Sequence, residues 1–566
     1  MLQKKSTEET PVIPKLDVLR TRSIAGLAVA AALLLCAGVG RAEEAGKNWP
    51  DYHGDWRGWR YSPLDQVNKK NVKKLKVAWI HQPGEIAQGL QATPIALDGV
   101  LYYSASNNRS FALDAATGRQ LWEYIPELDA VQEKSVFGFY NRGVTVGRGK
   151  VFIGASDGHL IALDQKTGKE LWKVKLTDPK TCHGCNFTSP PILAGDVLIA
   201  GPTGGDLAQR SKLYALKADT GERAWTMELL KDDPKSWPGD TIKVGGGGAW
   251  LPGQYDAKND TFFIGTSNPA PDFNAELRSG DNLYTATVLA LEPSTGRIKW
   301  HHQEVPNDAW DFDSAYEFVM FEKNGQELMM HLNKGGFVTV YDRKTGAIQD
   351  VWRIAEELNW IQGVDRKTGA LIGRNPPKSG QSEVFCPSAL GVRSWNAGAY
   401  SPKTKLWYTN AYEICNRVVM KQQPIDQLAF SQGYYDVAEL EIIPPPGKKA
   451  TARLVAHDPV TGKQAWKLDF EAPGLAHVLA TGGGLIFNGD PRGILSAYDD
   501  QTGKTLWSFN VGSGMRGGIV SYSAGGKQYI VAATGFGSLF PGFASIPWPE
   551  FKNVRGGAAL IAFTLE

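Results

Sequence analysis

Cysteine is scarce in this chain, with 5 among 566 residues, and no second Cys-x-x-Cys pair is present to complete a four-thiolate metal site. Cys182-His183-Gly184-Cys185 is followed by Asn186 where covalent haem attachment needs His, and Cys-x-x-Cys-His occurs nowhere in the sequence. Excess charge of either sign is also missing. Lys+Arg number 61 against Asp+Glu 59, and no long basic run follows the first 42 residues. This balance excludes a nucleic-acid partner or a broad polyanion surface. Past residue 40 no apolar run is long enough to span a membrane, and no helical domain is signalled.

The one long apolar stretch lies at the start. Lys4, Lys5, Lys15, Arg20 and Arg22 precede the apolar residues 24–40, and Gly40-Arg41-Ala42 supplies small residues at the exit. The pattern is that of a secretory signal peptide over 1–42, cleaved after Ala42, ahead of a single domain over 43–566. An uncleaved anchor is the alternative, at the lower limit of bilayer-spanning length. Cleavage removes Cys36 and leaves Cys182, Cys185, Cys386 and Cys415. An even number in an exported chain suggests disulfides, and sequence order favours 182 with 185 and 386 with 415. For the first pair, free thiols and metal or redox work are the alternatives.

What the chain has in abundance is glycine, 63, and tryptophan, 18, in a length beyond the usual single core. A phrase recurs: apolar-x-Ala-apolar-Asp, a few polar residues, Thr-Gly, then Trp. It runs from Ala112 to Trp122, Ala162 to Trp172, Ala215 to Trp225, Ala290 to Trp300, Val340 to Trp352, Ala456 to Trp466 and Ala497 to Trp507. Each reads as a hairpin ending in a buried Trp. The turn glycines, Gly118, Gly168, Gly221, Gly296, Gly346, Gly462 and Gly503, are separated by 50, 53, 75, 50, 116 and 41 residues. A period near 50 predicts an all-β propeller or solenoid array, and the step of 116 has room for a degenerate blade around Trp395 to Tyr412. With Trp79 there are eight docking tryptophans, hence an eight-bladed β-propeller. Its edges vanish if residues 558–563 pair with the first blade and close the ring. Residues 355–385 read as a long loop insertion.

Shortly after Trp300 comes Val305-Pro306-Asn307-Asp308-Ala309-Trp310-Asp311-Phe312-Asp313-Ser314. In a strand, Asp311 and Asp313 share a face and can converge on one point. Two carboxylates that close must share a cation or a proton. A solvated acidic loop is the bland alternative.

The Thr-Gly-Lys-x-x-Trp phrases, together with Trp310-Asp311-Phe312-Asp313, resemble the eight-bladed quinoprotein alcohol dehydrogenases that use pyrroloquinoline quinone (PQQ). The resemblance covers roughly 49–566. It implies a periplasmic enzyme that oxidises a primary or secondary alcohol and passes electrons to a soluble cytochrome c; a second copy of the chain is a further candidate partner. It also implies a quinone and a calcium or lanthanide ion on the propeller axis.

Residue by residue, Asp311 matches the family's general base, and Asp206, Asn268, Asp311 and Asp313 match the cation ligands. Asp313 is the extra acid of lanthanide-using members. Trp250, in Gly246-Gly247-Gly248-Ala249-Trp250, matches the indole laid against the quinone. Arg142, Thr188, Thr203, Gly204, Gly205, Lys334 and Asn396 match further quinone contacts. Asp206 stands where the family usually has Glu, and Gln91 where a Glu is common. Val136-Phe137-Gly138 replaces a vicinal cysteine pair, so the resemblance assigns cover of that quinone face to Phe137 or Cys182-Cys185. Leu475 stands near a common cavity tryptophan, which leaves room for a larger alcohol. The resemblance leaves open a quinoprotein acting on a sugar, aldehyde or hydroxylated ring compound. The repeat alone also fits a non-catalytic scaffold in outer-membrane protein assembly.

Overall fold

Five of the seven Thr-Gly turns share one construction. The Asp ending one strand accepts, through a single carboxylate oxygen, the backbone N–H of the Thr three residues on. This bond is 2.9 Å for Asp114–Thr117, Asp164–Thr167, Asp342–Thr345 and Asp458–Thr461 and 3.0 Å for Asp499–Thr502. In the turn from Glu292 to Gly296, Glu replaces Asp and accepts the Thr295 hydroxyl, at 2.8 Å, and Arg297 Nε, at 3.1 Å, but not the Thr N–H. Such a side chain offers the backbone a ready-made turn. The following glycine adopts a left-handed φ, +72° at Gly118 and +74° at Gly346. Its bare face is covered by the Trp of the preceding phrase. A Cβ on Gly346 would lie 2.6 Å from the Trp300 ring, and one on Gly118 would lie 2.6 Å from Trp79. The indoles then donate to carbonyls of the covered sheet, Trp225 to Pro293 O at 2.8 Å and Trp466 to Asp500 O at 3.1 Å. Each phrase therefore docks onto its successor, which is why Gly and Trp recur together.

The computed structural model describes residues 46–84, 87, 89–129, 140–179, 181–182, 184–207, 209–243, 245–421, 438–537, 540–554 and 556–566. The leader expected over 1–42 and Phe137 lie outside them. The protein is all-β, with one four-residue α-helix, Phe540–Phe543, among the described residues. Seven four-stranded sheets and one five-stranded sheet are built of antiparallel strands, for example Ile95–Leu97, Val100–Ser104, Ser110–Asp114 and Gln120–Tyr124, the one parallel pairing among them being Tyr61–Ser62 on the edge of the five-stranded sheet. The outer two strands of seven sheets come from the seven phrases. In the eighth, Lys76–His81 pairs antiparallel with Ala559–Thr564, with Trp79 opposite Ala562. The inner strand Lys150–Gly154 is buried, with Val151, Phe152 and Ile153 fully so, and in the next strand Leu160, Ile161, Ala162 and Leu163 are fully buried as well.

One expectation changes. Residues 399–413 form no degenerate blade: Ala399–Ser401 and Leu406–Glu413 are the inner strands of the sheet completed by Thr451–His457 and Gln464–Phe470. The step of 116 arises instead from insertions. One is the small sheet Ser382–Phe385, Cys415–Met420 and Ala438–Ile443, in which Cys386 is bonded to Cys415. The other lies within 355–385, where the two-residue strands Gly363–Val364 and Leu371–Ile372 flank a turn capped by Asp365 and Thr368. Here the turn chemistry is present without strands long enough to make a blade.

Candidate active site

The connection from Ile298–Gln303 to Phe318–Lys323 carries the carboxylate pair. It is a loop, so the strand geometry expected for Asp311 and Asp313 is not what brings them together. The carboxylate of Asp308 accepts the N–H of Trp310 at 2.8 Å and of Phe312 at 2.6 Å, clamping the loop into a tight turn. Burial pushes the Asp308 carboxyl up to about 6, against the pull of those N–H groups and Arg278. Trp310 and Phe312 turn into a cluster with Trp360, 4.8 and 4.9 Å away between ring centroids. Asp311 takes a left-handed φ of +63° and faces the other way. An Asp tolerates that conformation better than a branched residue does.

The shared cation is Lys334. Its Nζ lies 2.8 Å from Asp311 Oδ1 and 2.9 Å from Asp313 Oδ2, with all three side chains buried. Asp313 also accepts Trp250 Nε1 at 3.2 Å and the Asn268 backbone N–H at 3.0 Å. Burial raises the Asp311 carboxyl well above the usual range, helped by the charges of Asp313 and Asp206 and opposed by Lys334. Burial alone would lower Lys334, but Asp311, Asp313, Tyr316 and Asp206 more than offset it and hold the ammonium well above its ordinary value.

Arg142, Thr203, Gly204, Gly205, Asp206, Trp250, Asp311, Asp313 and Lys334 line one cavity of about 150 Å³. Arg142 is sandwiched among aromatics, 4.9 Å from the Trp250 ring, 4.8 Å from Trp395 and 5.0 Å from Tyr140. It donates to Thr188 Oγ1, which places Thr188 behind the wall. Asn396 is also behind it, donating to Arg516 O at 2.8 Å. Thr203 spends its hydroxyl on Gly184 O, at 2.6 Å, and on Asn186. The turn holding Cys182 and Cys185, which are bonded to each other, thus packs on the cavity loop. Gly205 has to be glycine for packing reasons: a Cβ there would clash with Ser267 Oγ at 1.8 Å.

Asn268 sits just behind that glycine. Its amide nitrogen donates to Asp272, leaving Oδ1 buried without a partner and 3.2 Å from the position of a Gly205 Cβ. Asp272 is 2% exposed and its Oδ2 is likewise unpartnered. Burial, then the charges of Asp206 and Asp311, raise its carboxyl well above the usual range. Among the described residues no three His, Cys, Asp or Glu side chains already converge as a cage, because Asp311 and Asp313 point at Lys334. Buried acceptors without donors nevertheless fit a hard, oxygen-seeking cation.

Sequence reasoning missed Asp272, Tyr140, Tyr316, Arg516 and Phe540. Only Asp272 had a local signal, four residues after Asn268 in the same Pro-rich loop. Leu475 does not open the cavity as expected. It is fully buried in a cluster with Phe540, Trp548 and Phe551, which fill the space beside it.

Residues 49–364 match the family described as glucose/ethanol/alcohol dehydrogenase, beta-propeller domain, and residues 446–539 match outer membrane protein assembly factor BamB. The quinoprotein alcohol dehydrogenase PedH of Pseudomonas putida is 35% identical over 547 residues, covering 90% of this chain and 89% of the relative. The quinoprotein ethanol dehydrogenase of Pseudomonas aeruginosa is 34% identical, covering 85% of each. Among solved structures, a europium-containing methanol dehydrogenase superposes with a TM-score of 0.85 at 28% identity, over 92% of this chain and 99% of that one. The quinohemoprotein alcohol dehydrogenase of Comamonas testosteroni gives a TM-score of 0.84 at 31% identity, over 92% and 81%. Repeated sheets around a cavity of carboxylates, a buried lysine and an indole define a quinoprotein of the β-propeller class. The chain belongs to the PQQ-dependent alcohol dehydrogenase family.

Proposed function

We propose that this protein is a periplasmic dehydrogenase that oxidises a primary or secondary alcohol to the aldehyde or ketone, and that its eight sheets are the blades of a ring closed by Lys76–His81 against Ala559–Thr564. The observation that carries the reading is the convergence of Asp311 and Asp313 on Lys334 beside Trp250, in a chain 35% identical to a quinoprotein alcohol dehydrogenase. When bound, the quinone supplies the two-electron oxidation and a calcium or lanthanide ion the Lewis acid.

The chain's own residues do the rest. Asp311, held basic by burial and by the charges of Asp313 and Asp206, takes the alcohol's hydroxyl proton at its carboxylate. Lys334 keeps it aimed. Trp250 offers a broad π face with its N–H anchored on Asp313, and Arg142, backed by Thr188, offers a cation to carboxylate or carbonyl oxygens. Asp206, Asn268 Oδ1, Asp311 and Asp313 would hold the cation; a highly charged lanthanide asks for Asp313 more than calcium does. Cys-x-x-Cys-His is absent from the 566 residues, which supports an acceptor haem outside them, on a soluble cytochrome c.

The test is reconstitution of the purified protein with PQQ and either calcium or lanthanum, reading dye reduction across a panel of alcohols. Asp311→Asn is expected to lose roughly 10²–10⁴-fold in kcat while retaining quinone absorbance. A wild type with neither quinone absorbance nor turnover under any metal sinks the enzyme reading in favour of a scaffold.

A further inference from the structure

The same cavity contains a cation that the fold leaves unbalanced. Arg516 lies in the connection between Thr505–Asn510 and Ile519–Ala524 and is 2% exposed. Its guanidinium rests against two rings, 5.4 Å from Trp395 and 5.3 Å from Phe540. Nη2 donates to Ser394 Oγ at 3.2 Å, while Nε and Nη1 are buried without partners. No carboxylate pairs with it among the described residues.

Arginines buried elsewhere are treated differently. Arg393 pairs with Glu317, Arg453 with Glu413 and Arg343 with Asp256, and Arg60 donates to three backbone carbonyls. The two left short of partners and of any counter-charge are Arg142 and Arg516, and both line this cavity. Burial pulls Arg516 down to about 10, so it is still charged at neutral pH. A buried charge needs a counter-charge, and here only a ligand can bring one.

We infer that Arg516 is the receptor for a carboxylate carried by a molecule bound in this cavity. The planar fork of a guanidinium matches a carboxylate, and the two aromatic faces hold that plane fixed. The carboxylate has two possible sources, the quinone cofactor or an alcohol substrate that is itself a hydroxy acid, and the inference rests on the dehydrogenase reading above.

Arg516→Met and Arg516→Lys separate the sources. In the apoprotein with calcium, PQQ binding is followed by quenching of tryptophan fluorescence. In the loaded enzyme, KM and kcat are compared for 4-hydroxybutanoate and 1-butanol. If the quinone is the ligand, Arg516→Met weakens its binding at least about tenfold, the loss of one charge-assisted contact. If the substrate is, quinone affinity holds and KM for 4-hydroxybutanoate rises at least about tenfold relative to that for 1-butanol. Arg516→Lys recovers part of either loss, and it gives the reading alone if the Met variant fails to fold. A folded variant with both quantities within twofold of wild type overturns the inference while leaving the dehydrogenase intact. A wild type that takes up no quinone and oxidises no alcohol sinks both.

Discussion

Lys334 holds two carboxylates at once, and that single contact explains why Asp311 and Asp313 coexist in a buried loop. Their spacing in Asp311-Phe312-Asp313 was legible as a shared-cation motif, although the convergence comes from a clamped loop and not a strand. Asp272 was legible only as an acid four residues after Asn268, because one acid after two prolines says nothing about where its carboxylate points. In the fold it grips the Asn268 amide nitrogen, so the amide oxygen is the end left free. Replacing Asp272 with Asn removes a charge and puts a second amide in its place. Removal of such a supporting partner commonly costs 10–100-fold in metal affinity, so we expect Asp272→Asn to bind terbium about tenfold more weakly. Tryptophan-sensitised terbium emission, titrated into the apoprotein, measures it. An unchanged midpoint would remove Asp272 from the cation site.

At the level of the sheet, stability lies in the contact between each Trp and the glycine of the next turn. Gly346 has both a left-handed φ and the Trp300 ring against it; Gly325 has a similar φ of +79° with nothing within 4 Å of a Cβ. Gly325→Ala therefore carries backbone strain alone, roughly 1–2 kcal/mol. Gly346→Ala carries the same strain plus overpacking, about 1–3 kcal/mol more. Urea unfolding of the two variants isolates the docking term as their difference, and equal midpoints would show that the indole moves aside freely. This device was legible because it recurs. The inner strands of the sheet over 399–470 were misassigned because insertions on either side of them carry their own strands, and the one before them its own Thr-Gly turn, at Thr368-Gly369.

For the molecule as a whole, the pairing of Lys76–His81 with Ala559–Thr564 joins residues nearly 500 positions apart. Without the last strand, Lys76–His81 and Lys527–Thr534 would each present an open edge, and exposed edges template aggregation. Deleting 559–566 is expected to shift the protein from soluble monomer or small oligomer to high-molecular-weight material in size-exclusion chromatography. A truncated protein that elutes and melts as the full chain does would show that the proposed ring does not depend on this closure.

The repeat by itself determined an all-β array of Trp-docked hairpins. Seven phrases and Trp79 carry local turn chemistry and a period, and both survive in a linear reading because each contact involves near neighbours. The loops that carry Asp206, Trp250, Asn268 and Asp311 were identified from their resemblance to one family. Only the tertiary structure decided that Asp313 is tied to Trp250 and Lys334, that Asp272 orients Asn268, and that Arg516 arrives beside Trp395 without a counter-charge. Apart from the Asp272–Asn268 pair, which lies within one loop, the partners are brought together from separate loops and share no period, so no sequence pattern could announce them.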